Sequence, residues 1–375
     1  MKLLIPIGSF YPDQSGGPSN SLYWLSSALQ EKGYTVKVIT TNKGINQLSL
    51  NKSLKTDYGY ITYCKTRIHS FPLRLIFTSL HLIFKTDIVL LTSIFYIPSW
   101  LIGFVALLFN KTIIWSPRGE FYTNALSFSG WKKKIFLFFS KPMLRRKNII
   151  YHSTCDAETI TIKSIIGEYA RIVQIPNFMK LPRHIQRITV SNYFLYVGRL
   201  HPEKGLENLI RSLSISKEFC NSNYEFRIVG DYNHKYGRKL IELTKLLSIE
   251  HKIKFMGHIT GDDKQELYAN ARYTFLVSFN ENFGNVVVES LAQGTPVVAS
   301  LETPWRILSE KNAGFWIANK PKIIKQTIDA ILIQDEKTYY QYRANAFCLA
   351  KNNFDINRNI SSWLQAFESI VQSGT

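Results

Sequence analysis

A stretch from Ser278 to Val298 combines a glycine at the start of a predicted helix with neighbouring acidic residues. It reads as a strand, a polar loop, a helix that begins at Gly284 and ends at Gly294, and a further strand. Gly284 would let a ligand approach the helix closely, and the first N–H groups, of Asn285 and Val286, have no partner within a helix. Since the helix dipole adds to these donors, the stretch predicts a phosphate site.

Two glutamates in the same stretch suit a different task. Glu281 lies in the loop before the helix and Glu289 on the helix itself, with seven residues between them. Carboxylates accept paired hydrogen bonds from sugar hydroxyls, so the two could hold different parts of one extended ligand. The alternative is a capping acid and an exposed helix glutamate. The three valines at 286–288 predict a helix tucked between layers and weigh against that alternative.

A second loop carries cations. After the predicted strand Tyr193–Val197, Gly198 ends the strand, and Arg199 and Lys204 follow in the loop up to Gly205. Two cations at a strand end form a pyrophosphate clamp, in which the arginine can bind two oxygens at once. They would also stabilise the negative charge that builds on a leaving diphosphate, in place of a divalent metal. The alternative is two solvated surface cations.

These two stretches resemble the donor-binding regions of retaining glycosyltransferases of the GT-B fold, the large group called family 4 or group 1. The first is similar to the family's Glu-x-Phe-Gly…Glu segment, read here through Glu281, Asn282, Phe283 and Gly284 to Glu289, and is followed by Gly-Thr-Pro-Val-Val. The second resembles the Gly-Arg…Lys-Gly loop. The resemblance implies transfer of a hexosyl unit from a nucleoside-diphosphate sugar, without cofactor or metal. It implies that Glu281 holds the sugar, that Glu289 holds the ribose, and that the leaving phosphate takes the acceptor's proton.

Weaker matches extend the resemblance towards the N-terminus. Gly16 and Gly17, before Pro18, resemble a Gly-Gly loop that approaches the diphosphate through its backbone, although Gly-Gly-Pro is also an ordinary turn. Arg118 stands where the family commonly has a histidine. An arginine cannot act as a base, but it can bind a phosphate or an acceptor carboxylate, or form a salt bridge with Glu120 or another acid.

Two further positions follow from the resemblance. Pro176-Asn177-Phe178 is similar to the family's Pro-Asn-Gly at the domain junction, with phenylalanine in place of glycine. Gly257 and His258 lie near the place where the family holds the nucleotide base by backbone contacts. The identity of the base does not follow from these residues.

The elements that must position these residues alternate between apolar strands and helices in both halves of the chain. This alternation predicts parallel sheets covered on both faces, and the simplest architecture is two Rossmann-like, doubly wound domains that face each other across a cleft, as in GT-B. We expect an N-terminal acceptor domain at 1–180, a nucleotide-sugar domain at 188–356, and a C-terminal helix at 357–375 that packs back towards the first domain. The aperiodic stretch 176–190 predicts a linker.

Charge is unevenly distributed along the 375 residues, whose formal net charge is +19. Residues 1–180 hold 22 Lys and Arg against 8 Asp and Glu, or +14 (22 − 8). A basic half indicates a partner with negative charge: nucleic acid, anionic lipid or a phosphorylated substrate. A basic–aromatic platform or a reading helix is not recognisable, which argues against nucleic acid. The four scattered cysteines are typical of a reduced, cytosolic protein.

Membrane contact has two candidate segments. Ile88–Phe109 is apolar enough to span a bilayer, but Thr92-Ser93 and Pro98-Ser99 interrupt it, so a buried strand and a core helix fit better. Residues 131–147 mix cations with large apolar residues. On a helix, Lys132 and Lys133 would lie on a basic side and Ile135, Phe136 and Phe139 on an apolar side, which suits an anionic bilayer interface. A core helix with a solvated basic edge is the alternative.

The sequence therefore predicts a cytoplasmic enzyme, peripheral at the inner face of the cell membrane, with a saccharide or lipid-linked saccharide acceptor in cell-envelope polysaccharide synthesis. Alternatives are a nucleotide-sugar epimerase or a phosphorylase of the same fold, and a basic membrane or nucleic-acid binding module without catalysis. A nicotinamide dehydrogenase is disfavoured because the first strand–helix turn lacks GxGxxG and a suitably placed acid. The apolar run Leu3–Ile7 is too short for a signal peptide and predicts a buried strand.

Overall fold

A computed structural model describes residues 1–12, 17–45, 50–122, 125–126, 130–185 and 191–372. The chain divides into two compact units, residues 1–180 with 356–375 and residues 181–355. Each unit is built on one sheet.

The first unit is built on an eight-stranded sheet in the order β3-β4-β2-β1-β5-β6-β7-β8. All its neighbouring strands pair in parallel except β3 and β4, which are antiparallel. The strands are β1 (Lys2–Ile7), β2 (Thr35–Thr41), β3 (Ser53–Thr56), β4 (Gly59–Cys64), β5 (Ile88–Thr92), β6 (Thr112–Ser116), β7 (Ile149–Ser153) and β8 (Ile172–Gln174). The apolar runs of the central strands are buried on both faces, as parallel sheets require.

Helices cover both faces of this sheet. They are α1 (Gly17–Glu31), α2 (Leu73–Ile83), α3 (Ile97–Leu108), α4 (Gly130–Leu144) and α5 (Asp156–Ile166). Alternate strand residues point to opposite faces, so Leu3 lies in the core beneath α1 while Leu4 lies in the core beneath α2, α3, α4 and α5. The apolar segment 88–109 forms β5 and α3, and no helix of the described residues is long and apolar enough to cross a membrane.

The second unit has a six-stranded, fully parallel sheet in the order β11-β10-β9-β12-β13-β14. The strands are β9 (Tyr193–Val197), β10 (Glu225–Val229), β11 (Ile253–Gly257), β12 (Tyr273–Leu276), β13 (Val297–Ser300) and β14 (Gly314–Ile317). The helices are α6 (Leu206–Ser214), α7 (Lys217–Asn221), α8 (Lys235–Leu246), α9 (Gly261–Asn270), α10 (Asn285–Ala292), α11 (Ile307–Glu310), α12 (Pro321–Leu332) and α13 (Glu336–Asn353). Strand order reverses between β9 and β12, and ligands of such sheets bind outside the carboxyl ends of the strands at that point.

The C-terminal residues return to the first unit. They form α14 (Ile356–Asn359) and α15 (Ser361–Gln372). Ile360, Trp363 and Phe367 are buried in the same core as α1 and Leu3. This apolar face is the one that the spacing of residues 360–370 predicts.

Candidate functional site

Two loops meet at the point where the strand order of the second unit reverses. One follows β9 and the other follows β12, and the N–H of Phe279 donates to the carbonyl oxygen of Glu203 at 2.7 Å between them. Gly205 has a φ of +69°, and a Cβ there would lie 2.1 Å from the carbonyl oxygen of Val277. Only glycine allows this approach, so the cationic loop and the glutamate loop are held side by side.

Lys204 and Glu281 form an ion pair between these loops. The Nζ of Lys204 donates to Oε2 of Glu281 at 2.6 Å. The two side chains are only 17% and 18% exposed, so solvent screens the pair weakly. The predicted diphosphate-binding cation and the predicted sugar-binding carboxylate therefore lie together in this structure and neutralise one another.

The helix start predicted to bind phosphate is present beside this pair. Gly284 precedes α10 with a φ of +81°, and a Cβ there would lie 3.2 Å from Cγ of Glu281. Asn285 and Val286 are the first residues of α10 and are partly exposed, and N–H groups at such positions have no partner within the helix. Trp305 fixes the loop from behind, since its indole N–H donates to the carbonyl oxygen of Phe283. Asn282 lies in the same loop, partly buried.

Glu289 is held in a second ion pair. It is 9% exposed on α10, where Nζ of Lys264 donates to its Oε1 at 3.1 Å and the hydroxyl of Tyr268 donates to its Oε2 at 3.0 Å. Burial, and then the charge of Glu289, raise the pKa of Tyr268 well above its ordinary value, so the hydroxyl keeps its proton and donates. The alternative of an exposed helix glutamate at this position is wrong, because α10 packs against α9.

The remaining predicted donor residues of the second unit lie at strand ends. Arg199 is exposed in the loop after β9, and its guanidinium forms no ion pair within the described part of the chain. Its carbonyl oxygen accepts from the hydroxyl of Tyr196 at 2.8 Å. Gly257 ends β11 and accepts from the N–H of Gly230 at 2.8 Å, and His258 follows it on the surface.

Arg118 lies in the first unit, directly after β6, with a φ of +57°. Its Nη1 donates to Oδ1 of Asn177 at 2.6 Å. Burial lowers the pKa of Arg118 to about 10, opposed by the charge of Glu158, so the guanidinium stays charged at neutral pH. Asn177, predicted at the domain junction, thus holds the side chain of Arg118.

The two acids near Arg118 are engaged elsewhere. Glu120 accepts from the hydroxyl of Ser93 and from the N–H groups of Ile94 and Phe95, so the predicted alternative of a salt bridge from Arg118 to Glu120 is wrong. Glu158 is fully buried and accepts from the N–H of Gly119 at 2.8 Å and from Thr154. These carboxylates stabilise the strand-end loops.

His152 lies nearby on β7 but cannot act as a base at neutral pH. Burial, and then the charge of Arg118, lower its pKa to about 3. The ring is neutral, with Nε2 at 2.8 Å from the carbonyl oxygen of Ile175 and Nδ1 at 2.9 Å from the hydroxyl of Ser116. A carbonyl can only accept, so Nε2 carries the proton and Ser116 donates to Nδ1.

Of the predicted glycine pair, Gly17 is the first residue of α1 and is exposed, while Gly16 lies outside the described residues. Within the described ranges, no group of three or more His, Cys, Asp or Glu side chains could hold a metal ion.

The sequence does not indicate four residues that hold the candidate site in place through hydrogen bonds. Lys264 and Tyr268 are one turn apart on α9 and reach Glu289; their i, i+4 spacing shows a shared helix face but not what that face meets. Trp305 and Asn319 donate to the carbonyl oxygens of Phe283 and Val277. They come from loops after β13 and β14, and no local pattern indicates these contacts.

The second unit matches a family model of known proteins. Residues 180–347 match the family model described as glycosyl transferases group 1, which confirms the resemblance over that range. An uncharacterised glycosyltransferase of Methanocaldococcus jannaschii is 34% identical over 37% of this chain and 35% of its own length. The O-antigen chain mannosyltransferase RfbU of Salmonella typhimurium is 26% identical over 52% of this chain and 53% of its own length. The chain thus spans a third to about half of the length of these two relatives.

Solved structures match the whole fold. Sucrose-phosphate synthase from Thermosynechococcus elongatus superposes with a TM-score of 0.79 over 99% of both chains at 16% identity. Anabaena HepE, solved in complex with UDP and glucose, gives a TM-score of 0.75 over 99% of this chain and 100% of its own at 17% identity. The predicted α/β fold with two parallel-stranded sheets is confirmed, and it matches structures of GT-B glycosyltransferases.

Proposed function

We propose that this chain is a glycosyltransferase that moves a hexosyl unit from a nucleoside-diphosphate sugar to a hydroxyl group of a saccharide or a lipid-linked saccharide, in the synthesis of cell-envelope polysaccharide. The match of the second unit to group 1 glycosyl transferases supports the reaction class. The Salmonella relative, an O-antigen chain mannosyltransferase by name, supports the pathway class. HepE, solved with UDP and glucose, supports the donor class.

The observation that carries the proposal is the Lys204–Glu281 pair beside the start of α10. A diphosphate offers Lys204 two negative charges where Glu281 offers one, so donor binding would draw the lysine away from the carboxylate. Glu281 would then be free to accept hydrogen bonds from sugar hydroxyls. Arg199 and the first N–H groups of α10 would complete the diphosphate site.

The nucleoside would be held further along α10. Glu289 is already oriented by Lys264 and Tyr268 and has a second lone pair on each oxygen for the ribose hydroxyls. Gly257 and His258 would flank the base. Arg118 would bind a phosphate or carboxylate of the acceptor, since it stays charged at neutral pH.

The proposed reaction retains the anomeric configuration and needs no metal. The bond from the anomeric carbon to the diphosphate oxygen breaks, and a bond to the acceptor oxygen forms on the same face. The acceptor's hydroxyl proton passes to the leaving diphosphate oxygen. Arg199 and Lys204 would stabilise the charge on that leaving group, as a metal ion does in other enzymes. No side chain is assigned as a covalent nucleophile.

The acceptor and the location are proposed together. A net charge of +14 on residues 1–180 favours an anionic partner, and a lipid-linked acceptor would be met at the inner face of the cell membrane. The chain is therefore proposed to act from the cytoplasm as a peripheral protein.

Replacing Glu281 tests the proposed function. The variant Glu281→Gln keeps the volume of the side chain but loses its charge, and we expect acceptor-dependent release of nucleoside diphosphate to fall by about 10²–10³-fold. Glu218→Gln is the matched control: Glu218 is an exposed glutamate on α7, which leads into the amino end of β10, opposite the site. Release without acceptor would mean that water takes the sugar, and a changed sugar on the nucleotide without any release would favour an epimerase. Unchanged transfer by Glu281→Gln would overturn the assignment.

A further inference from the structure

Three helices of the first unit carry large apolar side chains on their outer sides. We call this set the outer apolar surface: Leu73 and Phe77 of α2, Ile97, Phe104 and Leu108 of α3, and Trp131, Ile135, Phe138 and Phe139 of α4. The side chains of Phe138 and Phe139 are 73% and 76% exposed. Contiguous exposed apolar residues in a folded protein mark a surface that meets a partner.

On α4 the exposed residues form a second apolar stripe. Trp131, Ile135 and Phe138 are spaced i, i+4 and i+7, so they share one side of the helix. The opposite side is buried in the core through Leu137 and Leu144. One side of α4 therefore packs on the core of the sheet. The other, more aromatic side has no packing partner among the described residues.

On α3 large apolar side chains lie on the outer side as well as the inner one. Its buried side combines Ile102 with the small residues Ser99, Gly103 and Ala106, and its outer side carries Ile97, Phe104 and Leu108. A Cβ on Gly103 would lie 3.0 Å from Leu91 and 3.2 Å from the ring of Trp115, so the helix packs closely on the sheet at this position. None of the twelve residues of α3 is charged. Such a helix suits a sheet on one side and an apolar medium on the other.

Ring contacts show that the three helices lie next to one another. Phe84 after α2 meets Phe109 after α3 with centroids 4.5 Å apart. Trp100 of α3 meets Phe136 of α4 at 6.1 Å. The inner sides of all three helices pack on the same face of the sheet, so their outer sides face the same way.

The charge around this surface has one sign. Between residues 65 and 147 the sequence has thirteen Lys and Arg residues and two acids, Asp87 and Glu120. Both acids are engaged: Asp87 accepts from the N–H of Lys2, and Glu120 holds the loop after β5. On α4, Lys132 and Lys134 lie to either side of the stripe, since each residue turns about 100° along a helix. Neither lysine forms an ion pair within the described ranges.

We propose that the outer apolar surface docks on an anionic lipid bilayer, with α4 lying in the plane of the interface. This deepens the proposed membrane location and rests on it. Tryptophan and phenylalanine would enter the headgroup boundary while the flanking lysines meet lipid phosphates. Lysine is depleted at the cores of protein–protein interfaces. The lysines on both sides of the apolar stripe of α4 therefore favour lipid over a protein partner.

Vesicle flotation of the full chain tests this docking. We expect binding to vesicles of phosphatidylcholine mixed with phosphatidylglycerol, little binding to phosphatidylcholine alone, and weakening at high salt. The double variant Phe138→Ser/Phe139→Ser should reduce partitioning by about tenfold or more. The double variant Lys132→Gln/Lys134→Gln should reduce it by about fivefold for each lysine lost.

Matched control variants lie in the second unit. Leu246→Ser/Ile333→Ser removes two apolar side chains that are 78% and 76% exposed, and Lys320→Gln/Lys322→Gln removes two exposed neighbouring lysines. We expect both controls to bind vesicles like the unmodified chain. Flotation that falls equally in the α4 variants and in the controls would overturn the docking surface.

Two further readouts separate the alternatives. The rise in melting temperature with a sugar nucleotide should be the same in the α4 variants as in the unmodified chain, so a failure of donor binding would count against the proposed function and not against the docking. Sedimentation velocity without lipid should show no change of assembly. Oligomers that dissociate in Phe138→Ser/Phe139→Ser, without vesicle binding by the unmodified chain, would show that the surface binds protein instead and would overturn the proposal.

Discussion

The two units use charge in opposite ways. In the second unit, the lysines of the candidate site are matched with carboxylates, Lys204 with Glu281 and Lys264 with Glu289, and all four side chains are largely buried. Beside the outer apolar surface of the first unit, Lys132 and Lys134 are exposed, and neither forms an ion pair within the described residues.

The difference indicates the kind of ligand that each region suits. In a largely buried lysine–glutamate pair, each side chain can give up its partner for a group of a small ligand. A sugar nucleotide offers phosphate to the lysine and hydroxyl groups to the glutamate. Unpaired surface cations around apolar rings suit a wide, fluid, negatively charged surface. Under the two proposals, the first arrangement would select the donor and the second would attach the chain to lipid.

The largest effect is expected at Lys204. The variant Lys204→Met removes the cation proposed to face the leaving diphosphate and leaves Glu281 without its partner, so transfer should fall by about 10²–10³-fold. Steady-state release of nucleoside diphosphate measures this, with Lys320→Met, an exposed lysine at the start of α12, as the control. Full activity of Lys204→Met would mean that the paired lysine of the second unit does not serve donor binding, and would contradict the contrast drawn between the two units.

A smaller effect is expected at Tyr268. The variant Tyr268→Phe deletes one hydrogen bond to Glu289, worth about 1 kcal/mol, so donor affinity should fall by about fivefold while kcat changes less. The control is Tyr273→Phe, which deletes a buried hydroxyl bonded at 3.0 Å to Gln334. Equal losses of donor affinity in the two variants would mean that Tyr268 serves the fold alone.

The smallest effect concerns the stability of the first unit. Because the pKa of His152 falls to about 3 in the folded chain, the unfolded chain binds a proton first as pH drops below about 6.5. The stabilisation from this neutral ring is complete above that pH and is lost on acidification towards the folded pKa, by about 0.8 kcal/mol at pH 6. Urea unfolding at pH 7.5 and 6.0 should show that His152→Gln abolishes this part of the pH dependence, and that His81→Gln, at an exposed position, does not.

Much of the fold follows from apolar runs. The strand Tyr193–Val197 has the bounds that the sequence predicts, and the apolar run Leu3–Ile7 lies within β1, because short buried parallel strands are nearly continuous in apolar residues. Ser53–Thr56 is missed, since this edge strand is polar and largely exposed. The apolar pattern near 205–218 predicts one helix, but the structure has two, α6 and α7, because Ser216 caps α7 by accepting from the N–H of Phe219.

The candidate site could be predicted in its residues but not in its pairing. Gly284, Glu281 and Lys204 follow from types and spacing. Lys204 and Glu281 are 77 residues apart in the chain. Their hydrogen bond depends on how two loops lie next to each other in the fold, which the local sequence does not indicate. Likewise, the periodicity of α4 divides the helix into two sides but does not indicate which side packs against the core. Ser140 is buried and Phe136 is partly buried, whereas Phe138 and Phe139 are exposed.

The central claim is that Lys204 leaves Glu281 for the donor's diphosphate, and calorimetric titration with nucleoside diphosphates tests it most directly. In Glu281→Gln the lysine has no competing carboxylate, so we expect a nucleoside diphosphate to bind at least as tightly as to the unmodified chain, although transfer is lost. In Lys204→Met we expect clearly weaker binding, because the cation itself is gone. Equal weakening in both variants would show that the pair only holds the loops together, and would contradict the account.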